Sequence, residues 1–543
     1  MEPAGFGIGR KKIPQLSNGR KRRMEPANAT TPKPVTAKTV AVIDVGANSL
    51  RMVIAEVFSD GRIEVLERLQ RAVRLGQDTF CRGRLGGESM RAAVQVLRDY
   101  RKLLDLYKVE KIRAVATTAV REATNGDTFL DRVFMATRLN VDVIDTSEES
   151  RLTVSAVRQA VGDALGVNER HTLIADVGGG STLLTFLNNG EIDSAQSLRL
   201  GSIRLQEVFA TSEESPRRSA DLLRQHITNA LATLQSAPLD EIDSFVAVGG
   251  DARFAAREIG KPTDLADLAV IDPDELDKLV DHCERYTTEE LSKHYGLSFA
   301  EAETLNPALL VYQSLLHKTV AKQIIVSHVS MRDGLLLELA REVTGQEDEA
   351  LLAGVIHSAV TIAEKYRVDV DHANSVADVA VQLFDLFQAD HGLTPRYRLL
   401  VRVAALLHEV GGFVSSRAHH KHSEYLIANS EIFGLNRNEI TLVSQIARYH
   451  RRSVPRGSHP TFMAMSRESR VVVNKLAAIL RVADALIRGH RRRATEIHFQ
   501  RHGDDLIVLL PSGRDLLLEE RAMENKGDLF EDIFGVKIRI EES

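Results

Sequence analysis

The 543-residue chain has no tryptophan, two cysteines and only 5% aromatic residues. So few aromatics leave little on which successive bases of a single strand could stack, which argues against that kind of nucleic-acid binder. Cys81 and Cys283 stand alone, without the spacing of a metal knuckle or a redox pair, and a reducing cytoplasm fits them best. No apolar stretch approaches the roughly 18 residues that a membrane span needs, and the N-terminal segment has no hydrophobic region for secretion. Charge of one sign is lacking as well: 70 basic residues stand against 75 acidic ones, so net charge selects no partner.

The distribution of charge says more. Residues 1–38 carry Arg10, Lys11, Lys12, Arg20, Lys21, Arg22, Arg23, Lys33 and Lys38 against Glu2 and Glu25, with no apolar period, and are expected to be disordered. Met24-Glu25-Pro26-Ala27 repeats Met1-Glu2-Pro3-Ala4. Either translation starts at Met24 or the basic leader is a polyanion-binding tail.

Two segments are copies of one device: Asp44-Val45-Gly46-Ala47-Asn48-Ser49 and Asp176-Val177-Gly178-Gly179-Gly180-Ser181. Each follows a short apolar run and precedes another, giving strand, turn, strand. A strand that ends in Asp brings a carboxylate to the rim of a sheet, and the small residues after it let backbone N–H groups approach phosphate oxygens. The Asp can then hold a divalent cation that neutralises the phosphates. A lone Gly-rich turn usually carries no ligand, whereas two copies suggest a duplicated domain with its ligand in the cleft between halves.

Periodicity divides the chain further. Residues 39–165 alternate strands (Val40 to Ile43, Leu50 to Val57, Ile63 to Leu69, Arg113 to Ala116, Val141 to Asp145) with helices, and residues 166–345 restart the scheme with insertions. Helical periodicity dominates 346–494. From 495 to 543, alternating runs at Glu496 to Gln500, Leu506 to Leu510, Leu516 to Leu518 and Lys537 to Ile540 surround one short helix, as in a small α+β cap.

Seven blocks carry a resemblance: the two turns, Ala116-Thr-Thr-Ala-Val-Arg-Glu-Ala123, Ser147-Glu-Glu-Ser-Arg151, Leu198-Arg-Leu-Gly-Ser-Ile-Arg-Leu205, Val248-Gly-Gly-Asp251 and Arg332-Asp-Gly334. In order and content the chain resembles the exopolyphosphatase/guanosine pentaphosphate phosphatase (Ppx/GppA) family. The resemblance implies an α/β fold of duplicated ribonuclease H-like halves (actin-like ATPase superfamily), an all-α HD-like domain and a small α+β C-terminal domain. It also implies a cytoplasmic homodimer that removes terminal phosphates from inorganic polyphosphate or guanosine pentaphosphate, with Mg2+ between the turns and with neither a membrane nor a sequence-specific nucleic acid as partner.

On that resemblance Asp44 and Asp176 hold the metal, while Gly46, Asn48, Ser49, Gly178, Gly179, Gly180 and Ser181 cradle phosphate. Arg121 grips the terminal phosphoryl group with its planar fork, unless it pairs with Glu122 or a neighbouring helix. Glu149 orients and deprotonates the attacking water. One departure from the family bears directly on the mechanism. A Glu usually follows the Ser-Thr of the second turn, and here Leu183 stands there. Slower hydrolysis through Glu149, replacement by Glu122 or Glu148, and an alarmone or polyphosphate sensor with weak or no turnover all remain open. Asp251 and Arg253 replace the family's usual small residues, which speaks against ATP.

In the helical region His372, His408, Glu409 and Asp484 are spaced as in HD metal-dependent phosphohydrolases, with Glu409 in place of the usual Asp. They are either metal ligands or residues surviving in a helical dimerisation domain. Three basic runs share this region: His419 to His422; Arg448, His450, Arg451, Arg452 and Arg456; and Arg488, His490 and Arg491 to Arg493. Such rows suit a polyanion without bases, such as polyphosphate.

Overall fold

A computed structural model describes residues 37–161, 169–209, 215–234, 239–265, 268–345, 349–451, 453–487, 494–511 and 517–542. Nearly all of the basic leader, Arg452 and the run from Arg488 to Arg493 lie outside these residues. The apolar run at Val40 becomes the middle of β1 (Ala37–Val45), buried from Val40 onward because helices cover both faces of its sheet. β1 pairs antiparallel with β2 (Ser49–Phe58), and β2 with β3 (Ile63–Ala72). On its other side β1 runs parallel to β4 (Lys111–Ala116), and β4 to β5 (Val141–Val143).

The second sheet repeats this order. β6 (His171–Val177), β7 (Thr182–Asn188) and β8 (Glu191–Leu198) form the antiparallel meander. β9 (Ser244–Val248) lies parallel to β6. After β10 (Lys261–Pro262) and β11 (Leu268–Ile271) comes β12 (Ile324–Ser327), parallel to β9. The order β3-β2-β1-β4-β5 thus recurs as β8-β7-β6-β9-β12, extended at one edge by β11 and β10.

Helices cross between the two sheets. Val154, Val157 and Val161 of the helix Thr146–Val161 pack against Ile174, Leu187 and Val246 of the second sheet. Leu335, Leu336 and Leu339 of the helix Met331–Thr344 pack against Val40, Val42 and Val53 of the first. Each buried aliphatic side chain contributes about 1.5–3 kcal/mol. The two sheets are therefore joined through their helices.

Between residues 349 and 487 the described residues form helices and no strand, and helices such as Val370–Leu386, Pro395–Leu407, Arg437–Arg448 and Arg467–Leu486 pack together. Their core continues into the third sheet of β13 (His498–His502), β14 (Asp505–Leu510) and β15 (Lys537–Glu542), through Leu506, Val508 and Leu510. Two expectations need correction. Leu517 and Leu518 open the helix Leu517–Lys526 rather than a strand, since Glu519 and Glu520 suit a helical first turn; Leu516 lies outside the described residues. Glu496 closes a short 3-10 turn ahead of β13. Among the described residues no helix is long and apolar enough to cross a membrane.

Candidate active site

Both Asp-tipped turns close in the same way. Gly46 N–H donates to Ser49 O at 3.1 Å, and Gly178 N–H to Ser181 O at 2.9 Å. The two turns touch: a Cβ added to Gly179 would lie 3.2 Å from the Ala47 Cβ. The helix Leu75–Arg82, which sequence periodicity missed, props the first turn from behind, Gly76 N–H donating to Ala47 O at 2.8 Å. Between the sheets lies a cleft of about 870 Å³, lined by Asp44, Gly46, Asn48, Ser49, Asp176, Gly178, Gly179, Gly180, Ser181 and Glu149.

Glu149 rides the first turn of the helix Thr146–Val161 and is 8% exposed. Burial pushes its carboxyl up to about 7. Arg121 opposes the rise, and Asp176 and Asp44 add to it. Half-buried Asp176 is pushed up to about 6 by desolvation and accepts a hydrogen bond from Thr153 Oγ1 at 3.3 Å. Asp44 accepts from Arg332 Nη1 at 3.0 Å through Oδ2.

Several expected roles shift. Arg121 does not line the cleft. Its Nη1 donates to Glu149 Oε1 at 2.6 Å and also to Ile144 O, and its Nη2 to Thr118 Oγ1 at 3.1 Å. It therefore holds Glu149, the neighbouring-helix alternative. Asn48 lines the cleft, but its Nδ2 donates to Ala300 O at 3.2 Å, tying the first turn to the second half. Neither Glu122 nor Glu148 can replace the missing acid, because neither lines the cleft. Glu122 is paired with Arg199 and Arg204, and Glu148 faces Arg113 and Arg151.

Four cleft residues were absent from the expected set. Arg51 stands directly across the ladder from Asp44, just as Leu183 stands across from Asp176. Arg51, Arg253 and Arg332 bring three guanidinium groups to one wall, and burial reinforced by Arg332 brings Arg51 down to about 10, still cationic at neutral pH. Asp251, pushed up to about 6 by burial, is a further acid in the cleft. The sequence signal was present: Arg51 is a lone cation in an apolar strand, Arg332 opens one quoted motif, and Arg253 lies two residues beyond another. Behind Asp176, Gly249 has φ +130°, and a Cβ there would meet the Tyr312 hydroxyl at 2.9 Å.

Residues 53–343 match the Ppx/GppA phosphatase family, and residues 356–526 match domain III of the same family. The chain belongs to the Ppx/GppA phosphatase family. A guanosine-5'-triphosphate,3'-diphosphate pyrophosphatase of Aliivibrio fischeri is 26% identical over 457 residues, 83% of this chain and 87% of that protein. The crystal structure of an exopolyphosphatase from Cytophaga hutchinsonii covers 57% of this chain and 100% of its own, at 23% identity and a TM-score of 0.52, which shows a shared fold. The Ppx/GppA family member of Aquifex aeolicus is 28% identical over 57% of this chain and 99% of its own, with a TM-score of 0.48.

In the region matching domain III, His372, His408 and Glu409 do come together, their nearest ligand atoms all within 4.8 Å of one another. Asp484 is drawn elsewhere. Its Oδ2 accepts from Lys526 Nζ in a buried ion pair, and its Oδ1 lies 3.8 Å from His408 Nε2. Lys526 is distant in sequence, so spacing could not announce it. The basic runs also turn partly inward. His450 is buried against His419, with their Nε2 atoms 3.0 Å apart, and Arg448 pairs with Glu424. Lys421 and Arg456 stay exposed, and none of these residues lines the cleft.

Proposed function

We propose that this Ppx/GppA phosphatase is a magnesium-dependent hydrolase that removes the terminal phosphate of inorganic polyphosphate and of guanosine pentaphosphate in the cleft between the two turns. The contact between the turns carries the assignment, because it places both aspartates, both sets of backbone donors and Glu149 around one volume. The recurring strand order supports ribonuclease H-like halves. The helical packing supports an HD-like reading of the domain after residue 349, and the family resemblance favours a cytoplasmic homodimer.

The donor set fits Mg2+. Asp176 and Glu149 offer hard carboxylate oxygens whose raised pKa values mark charge that the protein leaves under-neutralised, and Asp44 keeps Oδ1 outside its Arg332 pair. Bound there, the ion would neutralise phosphate charge. Arg51, Arg253 and Arg332 hold the phosphate chain by charge-assisted hydrogen bonds. Glu149, near neutrality in its pKa, accepts a proton from the attacking water, and Arg121 fixes its orientation.

Leu183 favours a second reading, binding without turnover, because an apolar side chain faces the cleft across from Asp176. One experiment separates the two: phosphate release from polyphosphate and from guanosine pentaphosphate, with and without Mg2+, by the wild type and Glu149→Gln. Release that needs Mg2+ and falls about 10²–10⁴-fold in the variant is expected. Equal rates would remove Glu149 from the chemistry, and tight binding with no release would leave a sensor.

A further inference from the structure

The turn that carries Glu149 is held from two sides, and the outer hold comes from the helical region. Asp145 precedes the helix Thr146–Val161 and caps it: its Oδ1 accepts from Glu148 N–H at 2.9 Å, and its backbone oxygen accepts from Glu149 N–H at 3.0 Å. Its Oδ2 faces the other way. It accepts from Arg437 N–H at 2.8 Å, a bond that spans 292 residues of sequence. Arg437 is the first residue of the helix Arg437–Arg448, so one carboxylate serves the N-terminal donors of two helices, where their dipoles favour a negative charge.

Both ends of this bridge are firmly held. In the helical region Arg396 grips Glu439 with Nε at 2.7 Å and Nη2 at 2.9 Å, and Nη2 also donates to Gly434 O at 2.6 Å. Glu439 in turn closes a capping box with Asn436. Phe433, 5% exposed, belongs to one buried apolar cluster with Val154 and Val157 of the crossing helix. On the cleft side Arg121 donates both to Ile144 O, the residue before Asp145, and to Glu149 Oε1. A shift of Asp145 would therefore move the Glu149 backbone and the guanidinium that aims its carboxylate together.

We propose, on the role given above to Glu149, that Asp145 is a positioning residue for hydrolysis: through Arg437 N–H it seats the Glu149 turn on the helical region, and Glu149 meets the attacking water only while that bond is made. A misplacement of about 1 Å can cost about 100-fold in rate. The phosphate contacts come from other elements, so loosening the bond should lower kcat and leave KM in place.

Proline fits the first position of a helix, and Asn436 before it is already extended, so Arg437→Pro removes the N–H and keeps the helix. Arg437→Ala keeps the N–H and loses only an exposed side chain. Asp145→Asn approaches from the other side: its one carbonyl oxygen can still cap Glu148 N–H, but its amide nitrogen cannot accept from Arg437.

The test uses the full chain, with hydrogen–deuterium exchange over residues 146–150 and with kcat and KM for phosphate release from polyphosphate in Mg2+. Wild type and the three variants are compared, each also combined with Glu149→Gln. Arg437→Pro and Asp145→Asn should exchange about 10-fold faster over this turn and lose about 10–100-fold in kcat at unchanged KM. Beside Glu149→Gln they should lose no more than about 2-fold further, and Arg437→Ala should match the wild type. Exchange as slow in Arg437→Pro and Asp145→Asn as in Arg437→Ala would overturn the bridge, and a kcat loss undiminished beside Glu149→Gln would overturn the positioning role. A wild type that releases no phosphate would refute the hydrolase reading, and the exchange comparison would still decide whether the helical region seats this turn.

Discussion

Leu183→Glu perturbs the cleft at its most unusual position. Leu183 is 6% exposed and stands directly across from Asp176. Cross-strand partners of this kind have Cβ atoms about 5 Å apart. At an effective dielectric constant near 20, two carboxylates at that distance repel by about 3 kcal/mol. Asp176 already titrates at about 6, and Arg253 can relieve only part of the added charge. Without metal the variant should therefore melt well below the wild type, by an amount equivalent to about 1–3 kcal/mol. Mg2+ should restore most of that loss, because the paired carboxylates then face a dication. Phosphate release from polyphosphate should rise by about 100-fold if the missing acid limits turnover. The assays are thermal melting with and without Mg2+ and a phosphate-release time course. A variant that melts like the wild type, gains nothing extra from Mg2+ and releases phosphate no faster would refute the placement of this position at the reacting group.

Further outcomes follow from the same charges. The kcat/KM of the wild type should rise with pH through about 7, as Glu149 loses its proton. In Arg121→Met the guanidinium that opposes the rise is gone, so this limb should move up by about one unit or more; an unmoved limb would detach Arg121 from Glu149. Metal-free stability should fall as pH climbs from about 4.5 through about 7. Glu149 binds its proton more tightly folded than unfolded, and a rise from 4.5 to about 7 corresponds to about 3 kcal/mol (2.5 × 1.36). Glu149→Gln should flatten that slope in melting experiments. In the helical region Arg481, fully buried, donates to the backbone oxygens of Lys526, Arg451 and Asn525 and to Asp528. Arg481→Met should cost about 3–5 kcal/mol in denaturant unfolding, since it strands those acceptors.

The parts of the fold and site that depend on local pattern were legible. The apolar runs at Val40 and Leu173 and the small residues after Asp44 and Asp176 announced both hairpins, because strand period and turn chemistry are written over a few consecutive residues. What escaped depends on contacts distant in sequence. Arg121 faces Glu149 because the helix Thr146–Val161 crosses between the sheets, and no spacing rule reports that crossing. Lys526 reaches Asp484 from 42 residues away. The basic runs looked like an exposed row, but His419 and His450 turn toward each other once their helices pack. The helix Leu75–Arg82 is short and contains Gly76, so its periodicity is weak, yet it is what supports the first turn.

The central claim is that the two aspartate-tipped turns act on one phosphate group. Calorimetric titration of tripolyphosphate with Mg2+ into wild type, Asp44→Asn, Asp176→Asn and the double variant tests it most directly. A shared site predicts strong coupling, the double variant losing little more affinity than either single one. Losses that simply add would mean that the turns bind independently, and the cleft would not be one site.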